Sequence, residues 1–334
     1  MNTSKLVSVI MCVYNTPQEY LIEAVLSILN QSYKKIELII VDDNSDIDLY
    51  TDKIFEDKRI IILRNSENYG PSFSRNKALH TAKGEYIAIL DSDDISFNSR
   101  IEKQVDFLET HIDFVACGTW FRFFGDKNHD VKRIIDNYEY FRCCLLFDNS
   151  PTLLNSSMMI RKSTLDEFNI SWDERLRIGE DYFMWVQLLE HGKITNINEV
   201  LVLYRVHEKQ STSLLNRNQL NCNTWLIKEY QFKKIGLNFE LGFDLLLRSK
   251  GRTINKIKKI NSLLTKIINA NESSNYFDQT ELIKRCDKKI EDCIFSISNP
   301  FSLLFLSFYN EYRKYSVNAM KYKMKKWLRT RQKR

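Results

Sequence analysis

The chain has 334 residues, of which 49 are Lys or Arg and 43 are Asp or Glu, giving a net charge of +6. That charge is unevenly distributed, because residues 313–334 contain ten basic side chains and no acid, which leaves the remainder at −4. This distribution argues against a protein whose whole surface binds nucleic acid, and it predicts an acidic body with a basic segment.

Hydrophobic residues make up 43% of the chain, which is enough to form a core and excludes general disorder. Because no window of about 18 uncharged apolar residues is present, we expect no conventional transmembrane helix. The first strand-like run begins by Leu6, which leaves no room for a signal peptide. The seven cysteines show neither CxxC nor zinc-binding spacing, and they predict reduced thiols in a cytoplasmic protein.

The first part of the chain alternates between strand and helix signals. Four apolar, β-rich runs predict strands at 7–13, 36–41, 60–63 and 86–90. Apolar residues at helical spacing predict a helix over 21–29, and 72–83 is also predicted to be helical. Near-continuous apolar strands separated by helices predict a parallel sheet covered on both faces, and ligands of such sheets bind beyond the carboxyl ends of the strands.

The later sequence has a different organisation. Strands are predicted at 114–120, 156–161 and 199–205, and a helix at 181–190. From about Ser211 onward, lysine-rich helical segments replace the acidic motifs at strand ends. We therefore predict a boundary near 211–220, with three regions: an α/β domain over 1–215, a helical region over 216–312, and a basic amphipathic tail over 313–334.

The strongest local motif is the acidic turn that follows the fourth strand, Asp91-Ser92-Asp93-Asp94. Three carboxylates at the end of a buried strand repel one another unless a cation or hydrogen bonds compensate. Asp91 and Asp93 lie two apart, so on an extended chain they point to the same side and offer the hard oxygens that Mg²⁺ or Mn²⁺ prefers. A turn that caps the next helix through Asp94 or Ser96 is the alternative, and the motif alone leaves both open.

Two further groups follow the second and third strands. Asp42 and Asp43 could accept hydrogen bonds from a nucleobase or a ribose, although a helix cap or an Asx turn explains them equally simply. Arg75 lies near the start of the helix that Gly70-Pro71 opens. It could reach a phosphate or orient an aspartate at a neighbouring strand end, and an ordinary surface arginine is the alternative.

Two motifs in the later sequence are also candidates. Glu180 and Asp181 open a predicted helix, where the helix dipole alone would explain two acids, but one of them could be a general base. His207 follows the last predicted strand close to Arg205. A lone histidine is more often structural, so this position is informative only together with the other motifs.

Taken in order, these motifs resemble those of inverting glycosyltransferases of family 2, which have the GT-A fold. The resemblance covers about residues 5–213 and rests on VSVIMCVYN (7–15), IIVDDNS (39–45), NYGPSFSRNKAL (68–79), YIAILDSDD (86–94), NSSMMIRK (155–162), GEDYFMW (179–185) and YRVHEKQS (204–211). It implies a Rossmann-like, mostly parallel sheet flanked by helices, with a helical C-terminal extension.

The resemblance implies a nucleotide-sugar site at the strand ends. Tyr14 matches the residue that contacts the nucleoside, Asp43 the acid that binds the uracil edge, and Arg75 an arginine near the base and diphosphate. Asp42 would act structurally. The other residues implied to line this site are Cys12, Asn15, Asp91, Ser92 and Arg205, with Ser211 as a further candidate over the phosphates.

The resemblance also implies a metal site and a catalytic base. Asp91-Ser92-Asp93 matches the DxD motif, and His207 matches a histidine that joins Asp93 and Asp91 in holding Mn²⁺ or Mg²⁺. Glu180 and Asp181 match the acidic pair that supplies the base. We favour Asp181 and keep Glu180 as the second choice.

The implied activity is metal-dependent, inverting transfer of a hexosyl or N-acetylhexosaminyl group from a nucleotide-sugar, with UDP preferred. The acceptor would be a hydroxyl of a glycan or lipid-linked glycan in lipopolysaccharide, capsule or related polysaccharide synthesis. A sugar-nucleotide nucleotidyltransferase is one alternative, but Tyr14-Asn15-Thr16-Pro17 stands where its glycine-rich loop should be. A non-catalytic nucleotide-binding scaffold is another, and the full set of acids argues against it.

The end of the chain predicts a membrane surface as a partner. The apolar run 301–309 is too short to span a bilayer. Residues 313–334 interleave aromatic and apolar side chains with basic ones, as in helices that lie on anionic membranes. The predicted location is therefore cytoplasmic, peripheral at the inner face of the cell membrane, without a nucleic-acid partner. A solvated terminal helix or a disordered tail is the alternative.

Overall fold

A computed structural model describes residues 5–46, 50–147, 153–207, 217–240, 253–297, 300–307 and 310–331. The chain divides into two compact units. The α/β unit consists of Met1–Tyr138 and Ser150–Thr224, and the helical unit of Glu139–Asn149 and Trp225–Arg334. Six cysteines among the described residues are free thiols, as the sequence predicts.

The first four strands form the parallel half of the α/β sheet, in the order β3-β2-β1-β4. The elements in chain order are β1 (Val7–Val13), α1 (Gln18–Leu29), β2 (Ile36–Asp42), a 3₁₀ turn (Lys53–Glu56), β3 (Ile60–Arg64), α2 (Pro71–Thr81) and β4 (Tyr86–Ile89). In the register, Val13 lies opposite Asp42, and Asp42 opposite Arg64. The carboxyl ends of these strands therefore meet at one edge, as the sequence predicts.

The second half of the sheet is mixed and contains both parallel and antiparallel strand pairs. Its elements are β5 (Ile95–Ser96), α3 (Arg100–Thr110), β6 (Phe114–Gly125), β7 (His129–Val131), β8 (Met159–Arg161), α5 (Lys162–Glu167), α6 (Glu180–Leu188) and β9 (Lys193–Val206). Between β7 and β8 the chain forms α4 (Tyr138–Phe147), nearly all of which belongs to the helical unit. The sheet order is β3-β2-β1-β4-β8-β6-β9-β5, with β7 paired to β6. β8 is antiparallel to both β4 and β6, whereas β6 and β9 are parallel.

In this half, one alternative is excluded and one local prediction was wrong. The helix after the acidic turn begins at Arg100 with Ser99 as its N-cap residue, so neither Asp94 nor Ser96 caps it. Residues 155–157 form a 3₁₀ turn instead of the start of a strand. In both places, polar residues beside the strand ends make tertiary contacts that a local pattern does not encode.

The core of the α/β unit lies between the parallel strands and the helices on them. Val9, Leu38 and Ile40 on the strands are fully buried, and so are Leu21 and Ile28 on α1. Each such side chain contributes roughly 1.5–3 kcal/mol by leaving water, which explains why continuous apolar runs become central strands here.

The helical unit has its own core. After α4, its helices are α7 (Arg217–Lys234), α8 (Ile254–Ser274), α9 (Gln279–Phe295), α10 (Pro300–Ser307) and α11 (Asn310–Arg331). Thr253 and Asp278 cap α8 and α9 by accepting hydrogen bonds from first-turn backbone N–H groups. Within the described ranges, no helix is long and apolar enough to cross a membrane.

Helix α11 contains most of the segment predicted as a basic tail. Tyr312, Ser316 and Ala319 on one of its faces are buried in the core of the helical unit. Arg313, Lys314 and Lys321 are exposed. Within the segment, Ala319 is therefore buried and Tyr315 and Met320 pack partly against the same core, whereas Tyr322 is 56% exposed and the basic side chains named above face solvent.

Candidate functional site

The loops after β1 and β2 are held together by reciprocal hydrogen bonds. Asn15 Nδ2 donates to Asp46 Oδ2 at 2.7 Å, and the Asp46 backbone N–H donates to Asn15 Oδ1 at 2.9 Å. The Asn15 backbone N–H also donates to Ser45 Oγ at 3.0 Å. Asn15 adopts a left-handed φ of 51°, which asparagine tolerates better than most residues. Its side chain thus fixes the loop, and the neighbouring Tyr14 is 51% exposed at the strand edge.

Asp43 organises the loop between β3 and α2. Its Oδ1 accepts hydrogen bonds from Asn65 Nδ2 at 2.7 Å and the Tyr69 backbone N–H at 3.0 Å, while its Oδ2 accepts from the Gly70 N–H at 2.7 Å. A carboxylate oxygen can accept two hydrogen bonds, so Oδ2 retains capacity for a nucleobase N–H. Asp42 is fully buried and accepts from the Ser45 backbone N–H at 2.8 Å.

Arg75 joins the DxD strand end to the start of α6. Its Nη1 lies 2.5 Å from Glu180 Oε1, and its Nη2 lies 3.4 Å from Asp91 Oδ1. The arginine therefore orients an aspartate at a neighbouring strand end, one of the two roles that its position suggested. Burial raises the pKa of the nearby Cys12 thiol to about 12, which favours its neutral form.

The two acids of α6 have different surroundings. Glu180 is buried and ion-paired with Arg75. Asp181 is half-buried, and its Oδ1 accepts a hydrogen bond from the Tyr182 backbone N–H at 2.7 Å. Burial, together with the charge of Glu180, raises the pKa of Asp181 to about 7. Asp181 is thus poised to accept a proton near neutral pH.

The acidic turn after β4 concentrates negative charge. Asp94 is fully buried, and its Oδ2 has no hydrogen-bond partner. Burial, reinforced by the neighbouring aspartates, raises the pKa of both Asp93 and Asp94. His207 Nε2 lies 2.9 Å from Asp93 Oδ2. The Ser92 hydroxyl is used internally, 2.6 Å from Thr16 Oγ1.

Two of the three predicted metal ligands, Asp93 and His207, are in contact, whereas the Asp91 carboxylate lies towards Arg75. No group of three or more His, Cys, Asp or Glu side chains in the described part of the chain is arranged to hold a metal ion. Nucleotide-bound Mg²⁺ commonly takes one or two carboxylates, with phosphates and waters completing its shell. The hard oxygens and uncompensated charge of this turn fit such a cation.

Comparisons with known proteins identify the family of this chain. The model of the family described as glycosyl transferase family 2 matches residues 8–168. An uncharacterized glycosyltransferase of Methanocaldococcus jannaschii, MJ1057, is 35% identical over 212 residues, which is 62% of this chain and 72% of the relative. The chain belongs to glycosyltransferase family 2.

A second relative of this glycosyltransferase has a specific name. WfaP of Escherichia coli, a UDP-Glc:α-D-GlcNAc-diphosphoundecaprenol β-1,3-glucosyltransferase, is 32% identical over 208 residues, or 61% of this chain and 78% of the relative. The crystal structure of S. aureus TarS 1-349 in complex with UDP-GlcNAc superposes with a TM-score of 0.57 at 17% identity, covering 96% of this chain and 92% of that one. This likeness confirms the predicted GT-A fold.

The candidate site also contains residues that sequence analysis missed. The Arg205 guanidinium stacks between the rings of Tyr20, at 4.0 Å, and Phe124, at 4.4 Å. Its Nε donates to the Asp93 carbonyl at 2.8 Å, and it forms an ion pair with Glu23. Tyr20 and Glu23 lie three apart on α1, a spacing that places them on one face and could have indicated a shared contact.

A buried arginine beneath the acidic turn was also missed. Arg100 is fully buried and donates from Nη2 to the Ile89 carbonyl at 2.8 Å. Burial lowers the pKa of Arg100 to about 10. Its Nε also donates to Gln104 Oε1 at 2.9 Å, one turn further along α3, but the carbonyl contacts that place it beneath the acidic turn have no sequence signal. The predicted Ser211 lies outside the described residues.

Proposed function

We propose that this glycosyltransferase moves a hexosyl or N-acetylhexosaminyl group from a UDP-sugar to an acceptor hydroxyl with inversion at the anomeric carbon. One observation carries the proposal: Arg75 engages Glu180, while Asp181 keeps an accessible carboxyl whose pKa is raised to about 7 in the same cleft. A carboxyl placed to take the proton of an acceptor hydroxyl supports one direct displacement by that acceptor.

In this reaction Asp181 takes the proton of the acceptor hydroxyl, and the hydroxyl oxygen attacks the anomeric carbon. The bond between that carbon and the diphosphate oxygen breaks, and its electrons leave with the nucleotide diphosphate. General-base assistance of this kind contributes typically ~10²–10⁴-fold. Glu180 supports the step indirectly, because its ion pair with Arg75 holds the start of α6 against α2.

Asp93 and His207, with Asp91 beside them, would hold a Mn²⁺ or Mg²⁺ ion together with the diphosphate oxygens. When bound, the cation would supply charge neutralisation for the leaving group. The raised pKa values of Asp93 and Asp94 support this assignment, because they report carboxyls without sufficient positive charge around them.

UDP is the proposed nucleotide for two reasons. Asp43 is matched to the acid of the uracil edge, and its backbone N–H donates to the carbonyl of Val13, the residue before the exposed Tyr14 that is matched to the nucleoside contact. In addition, TarS was crystallised with UDP-GlcNAc, and WfaP is named for UDP-glucose. We infer a hexosyl or N-acetylhexosaminyl donor from these names.

The proposed acceptor is a glycan or lipid-linked glycan of surface-polysaccharide synthesis, such as lipopolysaccharide or capsule. The name of WfaP specifies a diphosphoundecaprenol-linked acceptor. The exposed basic side chains of α11, among them Arg313, Lys314 and Lys321, suit an anionic membrane surface. We therefore propose peripheral association with the cytoplasmic face of the membrane, through charge more than through apolar insertion.

A thermal-shift panel tests the donor and the metal together. Nucleotides and nucleotide-sugars based on UDP, GDP, ADP and CDP are each added with Mn²⁺, with Mg²⁺ and with EDTA. Ligands that bind the folded state raise its melting temperature, so UDP compounds should raise it, and more so with metal. Absence of any shift with all four nucleotides would contradict the proposed activity. Slow hydrolysis of a UDP-sugar without acceptor would then exclude a non-catalytic scaffold.

A further inference from the structure

The two arginines that the family resemblance places near the phosphates are both engaged by the protein. Arg75 is buried and bonded to Glu180 and Asp91. The side chain of Arg205 is 11% exposed, is stacked between two aromatic rings and is ion-paired with Glu23. Neither arginine is free to turn towards a leaving diphosphate without losing these contacts.

A third arginine, Arg177, lies on the segment that precedes α6. That segment is tied to α2 at two points. Asn76 Nδ2 donates to the Trp172 carbonyl at 2.8 Å, and the Trp172 N–H donates back to Asn76 Oδ1 at 2.9 Å. The Ser72 hydroxyl donates to the Leu176 carbonyl at 2.6 Å. The residue after Leu176 is therefore held at the N-terminal end of α2.

Arg177 lies directly beside Gly70, the N-cap residue of α2. A Cβ atom at Gly70 would be 3.6 Å from Arg177 Cγ and 3.8 Å from its Nε. The N–H of Gly70 donates to Asp43, the acid matched to the uracil edge. Arg177 is thus separated from Asp43, a residue of the proposed nucleotide site, by Gly70 alone. Nothing in the sequence identified it as a candidate.

The donors of Arg177 are largely unused. Its side chain is exposed, and Nη2 donates one long hydrogen bond, 3.3 Å, to the Asn68 carbonyl. Among the described residues, no carboxylate lies within 4.0 Å of its guanidinium. A guanidinium carries five N–H donors in a planar fork that matches phosphate oxygens. By contrast, the nearby Arg175 is paired with Asp173 at 2.6 Å.

We propose that Arg177 binds an oxygen of the nucleotide in the donor site, and that this oxygen belongs to the phosphates. The inference rests on the proposed UDP-sugar function. It adds to that function a positive charge for the nucleotide, because Arg75 and Arg205 are held in contacts within the protein. A carbonyl oxygen of the base offers the same acceptor chemistry, so the test separates the two sources.

The test measures the affinities of uridine, UMP and UDP by calorimetry, with Mg²⁺ present, for the wild type, Arg177→Gln, Arg177→Lys and the control Arg175→Gln. Hydrogen bonds to charged groups predict a loss of UDP affinity of ~10–100-fold in Arg177→Gln. Arg177→Lys should recover part of it, while uridine affinity and the control should match the wild type. Because Arg177 is exposed, all variants should have the melting temperature of the wild type.

The outcomes distinguish this inference from the function on which it rests. If uridine affinity falls as much as UDP affinity, Arg177 contacts the base and the phosphate assignment is overturned. If Arg177→Gln binds all three ligands like the wild type, Arg177 has no role in binding and the inference fails alone. If the wild type itself binds none of them, the proposed donor fails and the inference with it.

Discussion

The two units both carry dense charge, but they place it differently. In the α/β unit, acids from separate parts of the chain meet at one sheet edge, and buried arginines face them, as in the pair Arg75–Glu180, whose members are 105 residues apart. In the helical unit, the basic side chains of α11 lie on the solvent side of one helix whose other face is buried. Buried charge in the first unit is therefore compensated by tertiary partners, and charge in the second is left to solvent or to an external partner.

This difference indicates what each cluster can do. Carboxyls held in a cleft with shifted pKa values can exchange protons or bind cations, because burial makes their charge costly. Exposed lysines act through long-range electrostatic attraction to negative charge, and salt screens this attraction. Four experiments test this difference between the two units, beginning with the one expected to have the largest effect.

Replacing Asp181 with Asn should lower the rate of sugar transfer by ~10²–10⁴-fold and leave UDP affinity unchanged. Asparagine retains an oxygen that can accept the Tyr182 N–H, but it cannot take a proton from the acceptor. Steady-state transfer assays and calorimetry give the two readouts. Asp166→Asn, which alters an exposed acid on α5, is the control and should behave like the wild type. Transfer at the wild-type rate by Asp181→Asn would refute the base assignment.

Replacing Arg75 with Leu should lower the free energy of unfolding by about 3–5 kcal/mol, because Glu180 would be left as an unpaired buried charge. Urea denaturation of the full chain measures this loss. The matched control is Arg175→Leu, an exposed arginine whose loss should change stability by no more than ~0.5 kcal/mol. Similar effects of the two substitutions would mean that the buried pair contributes little.

The sequence is sufficient to predict the fold class of the α/β unit and the strand ends at which the candidate site lies. Central strands were predicted well because they are buried on both faces and appear as apolar runs, as in β1 and β2. The strand-end acids followed from the same pattern, since parallel strands bring their carboxyl ends together. The partners of those acids could not be predicted, because which carboxylate Arg75 or Arg205 reaches depends on tertiary packing.

In the helical unit, the sequence predicts the helices but not how they pack. Its helices are evident from composition, yet the apolar positions of a basic amphipathic helix are equally compatible with a core and with a membrane. Only the structure shows that Tyr312 and Ala319 pack internally. Whether the apolar face of α11 packs inside the protein depends on which helix lies beside it. Periodicity within a single helix carries no information about its neighbour.

The membrane proposal is tested by reversing exposed charge on α11. Arg313, Lys314 and Lys321, all changed to Glu, should weaken binding to vesicles of anionic phospholipid by ~10²-fold or more, since each basic residue near such a surface contributes about 1 kcal/mol. The control changes three exposed lysines of the α/β unit, at positions 53, 58 and 83, to Glu with the same change in net charge. Equal losses in both triple variants would show attraction by overall charge and would refute a specific role for α11.

The smallest expected effect is the pH dependence of transfer, and it examines the buried charges of the α/β unit directly. Asp181 must be deprotonated to act as a base, and its pKa is raised to about 7 by burial and by Glu180, against the opposing charge of Arg75 and with a further contribution from Asp91. kcat/KM should therefore rise about tenfold between pH 5.5 and 6.5 and level off above pH 7. An aspartate with its ordinary pKa would already be ionised over this range and would give a flat profile. A flat profile measured with saturating metal, in a protein that Asp181→Asn inactivates, would show that burial and the Glu180 charge do not raise the pKa of Asp181, and the contrast between the two acids of α6 would have to be abandoned.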